Sequence, residues 1–255
     1  MILRSTILGE GPPVVLMHGL FGQARNFAGV QRQLADTFKV VALDLRNHGG
    51  SPHGTAMDYR SMAGDVLQTL SELGLPPCPL IGHSMGGKTA MAAALLAPAR
   101  VSRLIVVDVA PVRYPPHFDA IIAVLRGLKL TAGLTRAAAD AALAEVEPDP
   151  GTRGFLLSNL QLGAAPSWRI GLDEIAAAML DISDWPFTDE TYPGPTLFIL
   201  GAKSRYVRAE HRPMIQAHFP RARFVSLKNA GHWVHADDPE GFLAVLRAAL
   251  ALPDR

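Results

Sequence analysis

The stretch PLIGHSMGGKTAM, Pro79 to Met91, decides how the rest of the chain is read. An apolar, β-rich run enters Gly82-His83-Ser84-Met85-Gly86 and leaves it into residues with helical periodicity. A strand that turns at once into a helix around a serine strains the serine backbone and holds its hydroxyl above the sheet edge. Glycines on both sides leave room for neighbouring backbone to approach. Gly-x-Ser-x-Gly is weak evidence alone, but a strand before it and a helix after it give it the context of a nucleophile elbow. The N-terminus of that helix is favourable for a developing anion, and the Met85 amide comes with the turn as one oxyanion donor.

Outward from the elbow, short apolar runs alternate with helical stretches, the pattern of an α/β fold with a mainly parallel central sheet and helices on both faces. Buried strands are predicted at Val14 to His18, Lys39 to Leu45, Pro79 to His83, Leu104 to Ala110, Thr196 to Gly201 and Ala222 to Leu227. From about Val112 to Tyr192 no strand is convincing, and helix-like pieces are separated by the turn formers PDPG and AAPS. About 80 residues between two strands is too long for an ordinary loop, so an all-helical insertion is expected. Placed after the C-terminal end of a parallel strand, it would sit over the crevice where such sheets bind ligands, as a cap. The core domain is thus read as residues 1–111 and 193–255, with the cap at 112–192.

Composition bounds the function. A chain of 255 residues, 49% of them apolar, can bury a large core, and a net charge of +1 gives no reason to expect nucleic acid or an anionic membrane as partner. One cysteine, Cys78, excludes an intramolecular disulfide framework. No apolar run approaches a membrane span, and MILRSTILGEGPP reaches a Gly/Pro turn before a signal-peptide apolar region could form, so a cytoplasmic protein is expected.

A serine hydroxyl needs a base. Of nine histidines, His232 in KNAGHWVHADDPEGF follows the last strand and precedes the last helix, where a loop can carry it to Ser84; His235 reads as fixing that loop. His48 and His53 lie in a glycine-rich loop, His83 should point away from the nucleophile, and His117, His211 and His218 read as solvent-exposed. A second oxyanion amide is expected from the loop after VVLMHGLFG, from Leu20 or Phe21, with Leu20 favoured. Lys88 reads as a helix surface or groove residue and Cys78 as a small buried one.

HGLFG, DLRNHGGS, GHSMGG and GHWVH, in this order over nearly the full length, resemble the α/β-hydrolase fold family. RNHG, GHSMGGK, DVAPV and AGHWVHAD are similar, more narrowly, to the bacterial YbfF-type esterases and the abhydrolase domain 11 group. The resemblance implies a cofactor-free and metal-free esterase or thioesterase whose helical cap forms an acyl pocket.

In much of this superfamily the acid of the triad follows the strand before the histidine strand, as Gly-x-x-Asp-x-x-Val. GAKSRYV, Gly201 to Val207, puts Ser204 there, and a neutral hydroxyl cannot counter an imidazolium charge. Asp108, ending LIVVD, is the replacement: in the family's strand order its strand lies beside the nucleophile strand, and a buried aspartate in apolar surroundings needs a partner. Asp184 and Asp189 read as solvated, Asp237 and Asp238 as helix caps, and Asp44 as structural.

The expected function is a serine hydrolase of carboxylic esters or thioesters with short to medium acyl chains, acyl-CoA included, acting as monomer or homodimer on a small molecule. Its triad would be Ser84, Asp108 and His232, with Phe21, Trp233 and the displaced Ser204 lining the substrate site. A cofactor-free lyase, a C–C hydrolase or a perhydrolase would use the same residues, and a slow ligand-binding protein could retain them.

Overall fold

Successive side chains of a strand point to opposite faces, so a strand covered on both sides is apolar throughout. The strands are β1 (Ser5–Leu8), β2 (Pro13–Met17), β3 (Lys39–Leu43), β4 (Cys78–His83), β5 (Val101–Val107), β6 (Leu160–Gln161), β7 (Ser167–Trp168), β8 (Thr196–Gly201) and β9 (Ala222–Leu227) in the computed structural model, which describes residues 1–251. Seven form one sheet, in the order β1-β3-β2-β4-β5-β8-β9. All its pairings are parallel except that of β1 with β3.

The helices are α1 (Ala28–Leu34), α2 (Tyr59–Glu72), α3 (Met85–Leu96), α4 (Asp119–Gly127), α5 (Arg136–Ala144), α6 (Pro150–Leu157), α7 (Leu172–Ala177), α8 (Met179–Ser183), α9 (Arg212–His218), α10 (Val234–Asp237) and α11 (Pro239–Ala251). Val14, Leu16, Val40, Ile81, Ile105 and Ile199 bury one sheet face with Leu34 of α1 and Phe242 and Leu246 of α11. Their chain neighbours Val15, Met17, Val41, Leu80, Leu104 and Val106 turn to the other face and cluster with α2 and α3. Helix α3 carries eleven buried residues from Met85 to Leu95, which is why its sequence is apolar all round rather than amphipathic.

Several findings depart from the sequence reading. β9, expected to be buried, is a half-exposed edge strand. The segment between β5 and β8 is not all-helical: β6 and β7 pair as a short antiparallel hairpin between α6 and α7. The STIL strand, β1, adds an antiparallel edge that precedes the glycine–proline turn. Lys88 is buried rather than at a surface, because its Nζ donates to the carbonyls of Ser183 (3.3 Å) and Asp184 (2.8 Å) at the C-terminal end of α8. His218 is buried too, its Nδ1–H donating to the Glu190 carbonyl (2.7 Å) and its Nε2 accepting from Trp185 Nε1 (3.2 Å).

Candidate active site

The sheet order places β4 at the centre, β2 on one side and β5 on the other, so three strands deliver their C-terminal ends to one place. Ser84 follows β4 with φ 53° and ψ −120°, a conformation that L residues adopt only at a cost. The turn is held by the Ser84 N–H on the Val107 carbonyl (3.0 Å) and the Lys88 N–H on the Ser84 carbonyl (3.0 Å). A Cβ on Gly82 would lie 2.1 Å from the Gly86 carbonyl oxygen, and one on Gly86 would lie 2.4 Å from that of His18. Both glycines are therefore required by close backbone approach.

Asp108 leaves β5 directly beside this turn, also at positive φ (51°), which an aspartate tolerates better than most residues. It is fully buried and completely satisfied. Oδ1 accepts from the Gly201 N–H (3.1 Å), and Oδ2 accepts from His232 Nδ1–H (2.8 Å) and from the Ser204 hydroxyl (2.5 Å). On its other side the imidazole presents Nε2 to the Ser84 hydroxyl at 3.1 Å. The three residues thus form one continuous hydrogen-bonded line, and Ser204 is its fourth member rather than a wall of the cavity. The Ser204 hydroxyl is committed to Asp108, with the Tyr206 N–H donating to it (3.2 Å).

The loop after β2 is fixed from both sides. The Phe21 N–H donates to His48 Nε2 (3.0 Å), and the Phe21 carbonyl accepts from Asn159 Nδ2 (2.7 Å), reaching across from the segment after α6. With the Phe21 amide committed, the Leu20 amide is left without an acceptor among the described residues. Phe21 takes φ 61° to allow this. His83 donates through Nε2 to the His232 carbonyl (2.8 Å), fixing the loop that carries His232. Asp44 binds the N–H groups of Ala24 (2.7 Å) and Gly50 (2.8 Å), and Asp237 that of Gly231 (2.7 Å).

Two buried histidines brace this region in the neutral state. His18 accepts the Leu45 N–H at Nε2 (3.0 Å) and donates from Nδ1 to the Gly19 carbonyl (2.8 Å); His48 likewise donates from Nδ1 to the Arg46 carbonyl (2.8 Å). Burial pushes His18 down to about 4 and His48 to about 3, the nearby His18 adding to the effect at His48. The unfolded chain therefore binds protons that the folded chain refuses, so stability is full above pH 6.5 and is lost as the pH falls toward 4. Each histidine should cost about 2 kcal/mol by pH 5. The thermal midpoint, followed by circular dichroism, is expected to be level above pH 7 and to fall steeply below 6.5; a level midpoint down to pH 5 would contradict the assignment.

An apolar cavity of 440 Å³ opens beside Ser84, walled by Phe21, Phe27 and Trp233 from the sheet side and by Phe118, Phe155 and Leu156 from the 112–192 segment. Trp233 faces Phe155 with ring centroids 5.5 Å apart. A smaller cavity of 50 Å³ lies on the other side of Ser84, bordered by Leu20, Met85, Lys88 and Tyr206. Among the described residues no cluster of His, Cys, Asp or Glu could hold a metal ion, and no helix is long and apolar enough to cross a membrane.

A profile of the alpha/beta hydrolase fold matches residues 12–239. The chain belongs to the alpha/beta hydrolase fold family. It is 42% identical to the sn-1-specific diacylglycerol lipase ABHD11 of Mus musculus, over 94% of this chain and 81% of that one. It is 36% identical to the esterase YbfF of Escherichia coli, strain K12, over 93% and 92%. A solved marine microorganism esterase superposes with a TM-score of 0.93 at 34% identity, over 97% of this chain and 98% of the other. These names agree with the hydrolase of ester bonds expected from the sequence, and with the fold expected from the elbow.

Sequence reasoning missed Tyr206 and Asn159, and it placed His48 in the DLRNHGGS motif without its contact to the Phe21 amide. Each reaches the site only through the tertiary fold.

Proposed function

We propose that this member of the alpha/beta hydrolase fold family hydrolyses carboxylic esters and thioesters of apolar acids by a two-step serine mechanism. The observation that carries the proposal is the unbroken line from Asp108 through His232 to Ser84, beside an apolar cavity. Ser84 Oγ attacks the substrate carbonyl as His232 Nε2 takes its proton. The Leu20 and Met85 amides receive the charge that develops on the carbonyl oxygen, and His232 returns the proton to the leaving alcohol or thiol. Water then attacks the acyl-enzyme with the same base, and Ser84 leaves as the carboxylic acid is released. Asp108 holds the imidazole in the tautomer with a proton on Nδ1 and stabilises its charged form.

The acyl chain occupies the 440 Å³ cavity, whose volume is in the range of small-molecule sites and whose lining is aromatic and aliphatic. Residues 112–192 act as the cap, since Phe118, Phe155 and Leu156 close that cavity over the sheet edge. The test is a chain-length series of aryl esters and acyl-CoA thioesters on the parent and on Leu156→Trp. The variant should keep turnover of acetyl esters within a few-fold and lose kcat/KM on octanoyl esters by 10-fold or more. Equal retention on both would place the acyl chain elsewhere.

A further inference from the structure

His232 is held at its edges by Asp108 and Ser84, but a ring held only at its edges can still tilt. One face is covered. The Tyr206 ring lies 3.8 Å from the imidazole, centroid to centroid, with the planes only 14° apart. That overlap is closer than the offset and edge-to-face arrangements that aromatic pairs favour, and here it is enforced from several directions. The Tyr206 N–H donates to Ser204 Oγ (3.2 Å), its carbonyl accepts from the Tyr114 hydroxyl (2.7 Å), and its own hydroxyl meets His117 Nε2 (2.9 Å). Tyr206 is therefore fastened to the loop after β8, to the residues that follow β5 and, through His117, to the start of the 112–192 segment.

We propose that Tyr206 is a positioning residue for the base: its ring face fixes the plane of the His232 imidazole and stabilises the imidazolium formed when Ser84 is deprotonated. This rests on the reading of His232 as the base. A π face carries partial negative charge, and a cation over it is attracted. The stabilisation grows as His232 becomes charged, so it is larger in the transition state than in the resting enzyme. The other groups facing His232 do not supply this. Asp108 and Ser84 bind its edges. The His83 ring, 4.8 Å away at 45°, and His235, which packs on His83, are both kept neutral by burial. The sequence gives no sign of this role, because Tyr206 sits two residues past the vacated acid position of GAKSRYV with no motif of its own.

The test compares Tyr206→Phe and Tyr206→Leu with the parent and with His232→Ala, on a short aryl ester from pH 5 to 9. Tyr206→Leu should lower kcat about fivefold with little change in KM, and should move the acid limb of kcat/KM to lower pH by about half a unit. Tyr206→Phe keeps the ring and loses only the His117 contact, and should restore both the rate and the limb. A role confined to folding would lower the thermal midpoint without moving the acid limb. Two results overturn the inference while leaving the base assignment intact: an acid limb and kcat unchanged in Tyr206→Leu, or Tyr206→Phe falling as far as the leucine variant. Parental turnover by His232→Ala would overturn the base assignment and this inference together.

Discussion

Ser84→Ala should give a folded protein whose ester turnover is lower by about 10⁶-fold, the loss seen when a serine protease is stripped of its nucleophile. The expectation follows from chemistry that nothing else in the site can replace. His232 Nε2 has one hydroxyl within reach, that of Ser84 at 3.1 Å. Cys78, the single thiol, is buried at the start of β4, at the opposite end of that strand from the elbow, and burial pushes it up to about 11. Ser204 is turned to Asp108 and lies on the carboxylate side of the imidazole. Folding should be unaffected, because the backbone contacts of the elbow use the Ser84 N–H and carbonyl and not its side chain. The measurement pairs steady-state turnover with covalent labelling by a fluorophosphonate: the parent should take one adduct by intact mass and Ser84→Ala none. Turnover within tenfold of the parent, or an adduct on the alanine variant, would remove Ser84 from the mechanism.

Those features of the site that depend on local pattern were legible in the chain. Two-sided burial makes β2, β3, β4, β5 and β8 read as apolar runs, and the elbow has a steric requirement for Gly82 and Gly86 that leaves a visible spacing. Asp108 is singled out by the strand order that the resemblance implies, once Ser204 stands where the family's carboxylate is expected. What could not be read depends on residues far apart in sequence. Lys88 looks like a surface lysine until the carbonyls of Ser183 and Asp184, about a hundred residues later, are brought to its Nζ. His218 is buried by Trp185 and Glu190, both on the return from the 112–192 segment. The Ser204 hydroxyl lies 2.5 Å from a carboxylate 96 residues earlier, a contact that no local pattern announces. The β6–β7 pair is two residues per strand, too short to impose an alternating pattern on the sequence.

Asp108→Asn should lower kcat by about 10⁴ while leaving the fold intact, by the same tautomer argument that holds for serine proteases. In the parent, the carboxylate accepts from His232 Nδ1–H, which leaves Nε2 unprotonated and able to take the Ser84 proton. An asparagine here keeps its carbonyl on the Gly201 N–H, where Oδ1 now sits at 3.1 Å, and so turns its NH₂ group toward the imidazole. Nδ1 must then accept, the ring proton moves to Nε2, and Nε2 donates to Ser84 instead of deprotonating it. The Ser204 hydroxyl can rotate to accept from the new amide, so no buried polar atom is stranded and the thermal midpoint should change little. The loss would therefore appear in kcat rather than in the amount of folded protein. The double variant Asp108→Asn with Ser204→Asp sharpens the test, because position 204 already contacts the same edge of the triad. A carboxylate restored there should recover at least tenfold of the lost turnover by accepting from Nδ1 again. Near-parental activity in well-folded Asp108→Asn would show that the charge on Asp108 is not what prepares His232, and that the acid lies elsewhere in the chain.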